Sequence, residues 1–449
     1  MAVLAPFRGI FYNQEIIKDI ALVVTPPYDV ISKEEQEKYY QRHPFNIIRL
    51  VLGKDLAEDN SRINKYIRAA NHLETWQRDG VLIRDTLTSI CYYQQEFTVK
   101  RDQRKTRKGF IALIKLEDFA NGVVLPHEKT MTGPKSDRLR LIESCNANLS
   151  PIFSLYSDTE KKIERIIEEK KDPTPFIDYV NDNGIRNQLW KIYNKDVIDR
   201  VSEEFKGLSL FIADGHHRYE TALHYRNQLR EKSRNYSGNE AYNYVMMYLS
   251  NMDDAGLVIL PTHRLLYNLN DFRPSLFYEK AQKYFYIEAF GFAGSNEQEV
   301  RRKLINKLEI QGQKQHTFGL YIQGANCYNL LTLKDEGIKN STVMENVPDV
   351  IKGLDVNILQ KIILNSILGL NDQNMESQRN VDFIENSDKA IEWVKEGRYQ
   401  LTFLMNPTKI KQVNEASCAQ VRMPQKATFF YPKIPSGLVI NSILGDIND

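Results

Sequence analysis

Residues 211–223 read FIADGHHRYETAL, and the five from Asp214 to Arg218 bring a carboxylate, a glycine, two imidazoles and a guanidinium into one turn. Residues 208–213 have the composition of a short buried strand, and residues 218–232 have the pattern of a helix, so the turn joins strand to helix. Glycine at that point lets the main chain take tight angles and approach a ligand closely. The helix start presents N–H groups and the positive end of its dipole to an anion. Arg218 adds a planar fork suited to phosphate oxygens, and His216 and His217 add donors that can become cationic near neutral pH. Asp214, Gly215, His216, His217 and Arg218 are therefore the candidate phosphate-binding residues. The competing structural reading is a tight turn in which Asp214 caps the helix and the histidines are bonded internally. Shared ligation of one metal ion by the two histidines fits less well. Adjacent residues at a helix start point in different directions, the spacing is not HExxH, and no cysteine is near.

A second segment, residues 125–139, reads LPHEKTMTGPKSDRL. A strand-like run over 122–125 ends in Pro-His-Glu, a polar loop follows, and a helix is expected to start near Ser136. An acid at a strand end beside a Gly/Pro loop is suited to general-base chemistry, which makes Glu128 the candidate base. The competing reading is a surface carboxylate paired with Lys129 or Lys135, and exposed pairs of that kind are common and weak.

The elements that must position these residues are mixed. Strand character is expected over 21–31 before a proline turn, and over 45–52, 88–99, 109–116 and 256–260. A basic polar turn spans 100–108. Helices are expected over 61–79, over 157–173 with Ile163, Ile166 and Ile167 buried, and over 356–370 with Val356, Leu359, Ile363 and Ile367 on one face. The stretch 292–345 alternates between the two patterns. The tail 423–440 holds three prolines and three aromatics, so it is expected to dock on the body as strand and loop. The class is α+β. The two motif segments place a core at 108–265, with a charged insertion at about 157–205, between an N-terminal α/β region at 1–107 and a C-terminal α/β region at 266–449. Pro26, Pro27, Tyr28 and Asp29 read as a rigid turn whose last two residues could line the same cleft. Lys426 and Lys433, interleaved with Phe429, Phe430 and Tyr431, could close a pocket over a nucleotide or form a docked edge strand.

The 449 residues are 42% hydrophobic and 26% charged, ordinary globular usage that excludes fibrous and wholly disordered classes. Sixty basic against 58 acidic residues leave a charge of +2, which lacks the positive field of a dedicated nucleic-acid binder. Cys91, Cys145, Cys327 and Cys418 form no CxxC pair, so reduced thiols and a cytoplasmic location are expected. No signal peptide and no membrane span is read.

Taken together, TPPYDVI (25–31), FNIIRL (45–50), LPHEKT with GPKSDRL (125–139), ANLSPIF (147–153), ADGHHRYETAL (213–223), PTHR (261–264) and MPQKATFFYPKIPSGL (423–438) resemble, over nearly the full length, the family called domain of unknown function 1015. The order of PHE, helix, NLSPIF and DGHHR also resembles the ParB/sulfiredoxin-like fold, most of all its free serine kinases. That resemblance implies that Glu128 deprotonates an acceptor hydroxyl. It also implies that Asp214 to Arg218 hold the phosphates of ADP or ATP with Mg²⁺. The implied activity is phosphoryl transfer between the nucleotide and a small hydroxyl substrate such as free L-serine. About 60 residues separate Phe153 from Asp214, where the kinases are compact. A ParB-like nucleotide switch and a phosphoserine hydrolase are the other readings. The oligomeric state is not legible.

Overall fold

The computed structural model describes residues 1–99, 102–128, 132–338, 342–371 and 380–447. The architecture is α+β. Chain contacts divide it into two compact units. The first comprises Met1–Pro126, Thr130–Val258 and Pro432–Asp449, and the second His127–Lys129 and Ile259–Tyr431.

The first unit is built on one mixed sheet. Its strands run in the order Val124–Pro126, Leu210–Asp214, Ile152–Tyr156, Tyr244–Asn251, Gln103–Lys115, Ile90–Val99, Arg186–Ile192 and Ile177–Val180, with Leu4–Ala5 paired to Gln103–Lys115. Alternation along each strand sorts side chains onto two faces. Tyr92, Phe110, Ala112, Ile114, Met247, Leu249 and Ile212 bury one face under helices Lys162–Glu168, Lys195–Phe205 and His216–Lys232. Those helices supply Ile163, Ile166, Val197, Val201, Phe205, Tyr219 and Ala222. Tyr93, Gln95, Arg107, Phe153 and Tyr248 lie on the other face, where Gln95 stands opposite Arg107, and Phe153 opposite Tyr248.

Sequence boundaries and the course of the chain differ here. The hairpin of Ile90–Val99 and Gln103–Lys115 runs across position 107/108. The segment 157–205 contributes a strand, Arg186–Ile192, that pairs with Ile90–Val99 inside the same sheet. The expected turn over 100–108 is shorter than its polarity implied, because Gln103 already pairs with Val99; residues 100 and 101 lie outside the described residues. Two expected strands are helical turns instead: Ile20–Leu22 and Tyr28–Val30 are 3-10 turns, and Ile48–Val51 is α. Buried Asn46 accounts for the last of these. Its side chain accepts from the Ile48 N–H at 2.9 Å and donates to the Leu22 carbonyl at 2.7 Å, nucleating a helical start where apolar periodicity alone is ambiguous. The helix expected near Ser136 is Thr132–Cys145.

In the second unit a six-stranded antiparallel sheet has the order Phe285–Gly291, Cys327–Leu333, Thr317–Ile322, Leu401–Leu404, His263–Leu266 and Val381–Ile384. Leu320, Leu331 and Phe403 pack on one side against Val356, Leu359 and Ile363, the apolar stripe expected from sequence. Tyr321, Leu330 and Leu404 pack on the other against Val300, Leu304, Ile391 and Val394 of helices Glu297–Gln311 and Ser387–Lys395. No helix among the described residues is long and apolar enough to cross a membrane. All four cysteines are free.

Candidate functional site

In the first unit the strand Leu210–Asp214 runs into Gly215, which starts the helix His216–Lys232 at φ +93°. Only glycine takes that conformation without strain. A Cβ there would also stand 2.9 Å from the Arg218 guanidinium, so glycine is what lets Arg218 fold back over the turn. One Asp214 oxygen accepts from Arg218 Nη2 at 2.8 Å, and the other pairs with Lys433 Nζ. Arg218 Nη1 donates to the Pro151 carbonyl. Asp214, Arg218 and Lys433 are each only 13–14% exposed. The three sum to one excess positive charge at a helix N-terminus that has no side-chain cap. His216 opens the helix as a buried residue, and His217 follows, half-buried.

Segments distant in sequence meet around this turn. The hydroxyl of Ser150 bonds that of Ser436 at 2.6 Å, and Ser436 exchanges main-chain bonds with Thr25. The Arg138 guanidinium lies 3.8 Å from the Tyr28 ring centre and donates to the Val51 carbonyl. Burial pushes the Tyr28 phenol up to about 12, against the pull of Arg138 and of Arg218, so the charge of Arg218 is felt at the proline turn. Asp29 is exposed. Pieces of five motifs thus converge: 25–31, 133–139, 147–153, 213–223 and the tail.

Glu128 belongs to the second unit. Its Oε1 accepts from the Lys426 main-chain N–H at 2.8 Å, and its backbone bridges Met423. Lys426 has φ +54°, a left-handed conformation that costs a non-glycine residue energy, and the carboxylate holds it there. Buried Arg264 faces Glu128. Burial lowers the guanidinium to about 10 while the Glu128 charge acts to raise it. Arg264 also donates to the carbonyls of Thr262 and, at 3.2 Å, Lys426. Fully buried His127 joins the cluster through Thr428 Oγ1 at 3.0 Å. The sequence motifs 261–264 and 423–428 are therefore the surroundings of Glu128. The expected lysine partners differ: Lys135 pairs with Glu220 at 3.0 Å, and Lys129 lies outside the described residues.

Among the described residues no three metal-ligating side chains cluster. Asp214, the carboxylate of the cradle, could supply one oxygen ligand to a magnesium ion carried in on phosphates, the usual mode for that ion.

Lys433, which the sequence offered as a residue to cover a nucleotide, close a pocket or lie on a docked edge strand, pairs with Asp214 in the cradle itself. Arg107 was passed over as part of a basic turn. The signal that identifies it is alternation, since Arg107 is in phase with Gly109, Ile111 and Leu113.

No curated relative matches the sequence. Among solved structures the chain is similar to a conserved hypothetical protein from Pyrococcus furiosus, at 13% identity and TM-score 0.35 over 76% of this chain and 96% of that one. It is similar to a free serine kinase in complex with AMP, at 11% and 0.37 over 74% and 91%. It is also similar to SbnI with C-terminal truncation from Staphylococcus aureus, at 8% and 0.35 over 75% and 88%. Residues 4–357, a span that contains Glu128, the Asp214–Arg218 turn and the Arg264 that faces Glu128, match the model described as "Protein of unknown function (DUF1015)", and the chain belongs to that family.

Proposed function

We propose that the protein is a nucleotide-dependent phosphotransferase that moves a phosphoryl group between ADP or ATP and a small hydroxyl compound, free L-serine being the acceptor implied by the sequence motifs. The observation that carries the reading is the excess cation at the glycine turn: Asp214 holds Arg218 and Lys433 together at a helix start. Phosphoryl transfer asks little covalent chemistry of a protein. It requires positioning and neutralisation of the charge spread over phosphoryl oxygens. Arg218 offers a fork, Lys433 a point charge, and the first helical turn its N–H groups. A magnesium ion bound with the nucleotide would neutralise phosphate charge further, with Asp214 as its protein ligand. The resemblance of the sequence motifs gives Glu128 as the base that takes the acceptor's proton.

The test has two arms. A transfer screen by mass spectrometry with ADP or ATP, Mg²⁺ and a panel of hydroxyl compounds should yield a phosphorylated acceptor. Nucleotide binding without turnover would instead mean a switch. Phosphate release from phosphoserine without nucleotide would mean a hydrolase. In the second arm, Arg218→Ala should weaken nucleotide binding roughly ten- to a hundredfold, the worth of one charge-assisted bond. Unchanged affinity by calorimetry, in a variant that melts normally, sinks the cradle.

A further inference from the structure

Arg107 is a buried cation whose hydrogen-bond partners are neutral. Its residue is 0% exposed. Nη2 donates to Gln95 Oε1 and to the Pro432 carbonyl, whereas Nε and Nη1 have no hydrogen-bond partner. The guanidinium carbon lies 4.7 Å from the Phe153 ring centre and 5.6 Å from that of Tyr248. The Tyr248 hydroxyl meets no partner at good hydrogen-bond geometry, though it and the guanidinium lie within bonding reach of each other. Among the ionisable groups whose charge reaches Arg107 are Tyr248, Tyr93 and Asp254. Tyr93 donates to Asn187, and Asp254 accepts the N–H groups of Lys108 and Gly256, so neither is bonded to the guanidinium. Removing such an ion from water costs several kcal/mol unless an anion or a full set of acceptors compensates it. A folded chain that keeps this arrangement leaves the guanidinium without a bonded counter-ion.

We propose that Arg107, with the Tyr248 hydroxyl beside it, is the receptor for a carboxylate on the acceptor, and so selects hydroxy acids and hydroxy amino acids over neutral alcohols. The proposal rests on the phosphotransferase reading for the word acceptor, but the carboxylate site stands or falls by itself. Geometry favours a two-oxygen anion. Each hydrogen of Nη2 shares an edge of the guanidinium with either Nε or Nη1. If the Pro432 carbonyl withdraws, the hydrogen it frees joins an unpartnered neighbour, and a two-donor edge suited to a carboxylate is complete. The residue that must move with Pro432 is Lys433, whose carbonyl accepts from Gln95 at 3.2 Å and whose ammonium sits on Asp214. Entry of the carboxylate therefore releases Lys433 toward the phosphates of the same cradle.

The experiment compares wild type, Arg107→Met and Arg107→Lys in three measurements: melting with and without millimolar L-serine, glycerate or serinol; nucleotide affinity by calorimetry; and acceptor KM. Arg107→Met should melt at or above wild type, because an uncompensated charge has been removed. L-Serine and glycerate should stabilise wild type and not Arg107→Met, and serinol should stabilise neither. Nucleotide affinity should stay within about twofold, while acceptor KM rises roughly ten- to a hundredfold. Arg107→Lys keeps the charge without the edge and should fall between; it carries the comparison if the methionine variant does not fold. The site is overturned if no small carboxylate stabilises wild type, if serinol matches serine, or if Arg107→Met weakens nucleotide instead. Carboxylate binding without transfer from any nucleotide would leave this site standing and remove the phosphotransferase reading.

Discussion

Glu128 and Asp214 are both carboxylates at or just beyond a strand end, and their surroundings ask different things of them. Asp214 is bracketed by two cations in the first unit and acts as the organiser of a positive turn. Glu128 accepts a main-chain N–H and faces one buried guanidinium, so it has a structural duty whatever its chemistry. The two duties can be separated. Glu128→Gln keeps an oxygen for the Lys426 N–H but cannot take up a proton. Its melting should fall, because buried Arg264 loses the charge that faces it; in the variant that remains folded, single-turnover transfer at saturating nucleotide should fall roughly 10²–10⁴-fold. Near-equal rates would remove Glu128 from the mechanism and leave it as the clamp on Lys426. Both residues were legible in sequence, because a glycine turn and a Pro-His-Glu strand end are local features. The partners Lys433 and Arg264 were not, since each pair joins segments more than a hundred residues apart.

At the scale of elements, the helix Glu297–Gln311 shows how one side chain ties a helix to its sheet. Glu297 sits in the first turn, where the dipole favours an anion, and accepts from Arg301 at 2.8 Å and from Lys395 and Tyr328. Burial by itself would raise its pKa; the bonds from Lys395, Tyr328 and Arg301 outweigh it and hold the carboxyl at about 2, against 4.5 when unperturbed. A depressed pKa adds stability that is present above the unfolded value and is lost as pH falls through the folded one. Glu297→Gln should therefore destabilise the helix by about 1–3 kcal/mol at pH 7. The gap between variant and wild type should close between roughly pH 4.5 and pH 2. Hydrogen exchange across Glu297–Gln311 measures it, and a gap that persists unchanged at pH 2 would show the charge to be irrelevant. Elements with clear periodicity, such as Lys65–Arg78 and Leu210–Asp214, follow the sequence pattern. Residues 45–52 do not, because a buried asparagine, and not the apolar run around it, decides the local conformation.

At the scale of the molecule, the chain's last segment completes the first unit. Ile434, Leu438, Val439, Ile440 and Ile443 are all buried, Ile440 pairs with Ile10, and Asn441 pairs with Asn148. Burying one such side chain is worth about 1.5–3 kcal/mol, so losing all of them approaches the whole stability of a domain, about 5–15 kcal/mol. A chain ending at Tyr431 should fail to fold its first unit, seen as rapid proteolysis within residues 1–258; a truncated chain that melts cooperatively at the wild-type temperature would contradict this. The amino-acid sequence by itself determined the α+β class, the candidate turn at Asp214–Arg218, the Pro-His-Glu strand end and the docking of the tail. Each is written in neighbouring residues, through periodicity, glycine and proline chemistry, or composition. Tertiary structure decided which cations stand on Asp214, which guanidinium faces Glu128, and that Arg107 is buried without a bonded counter-ion. Burial and charge pairing belong to segments brought together by folding, and no local pattern encodes them.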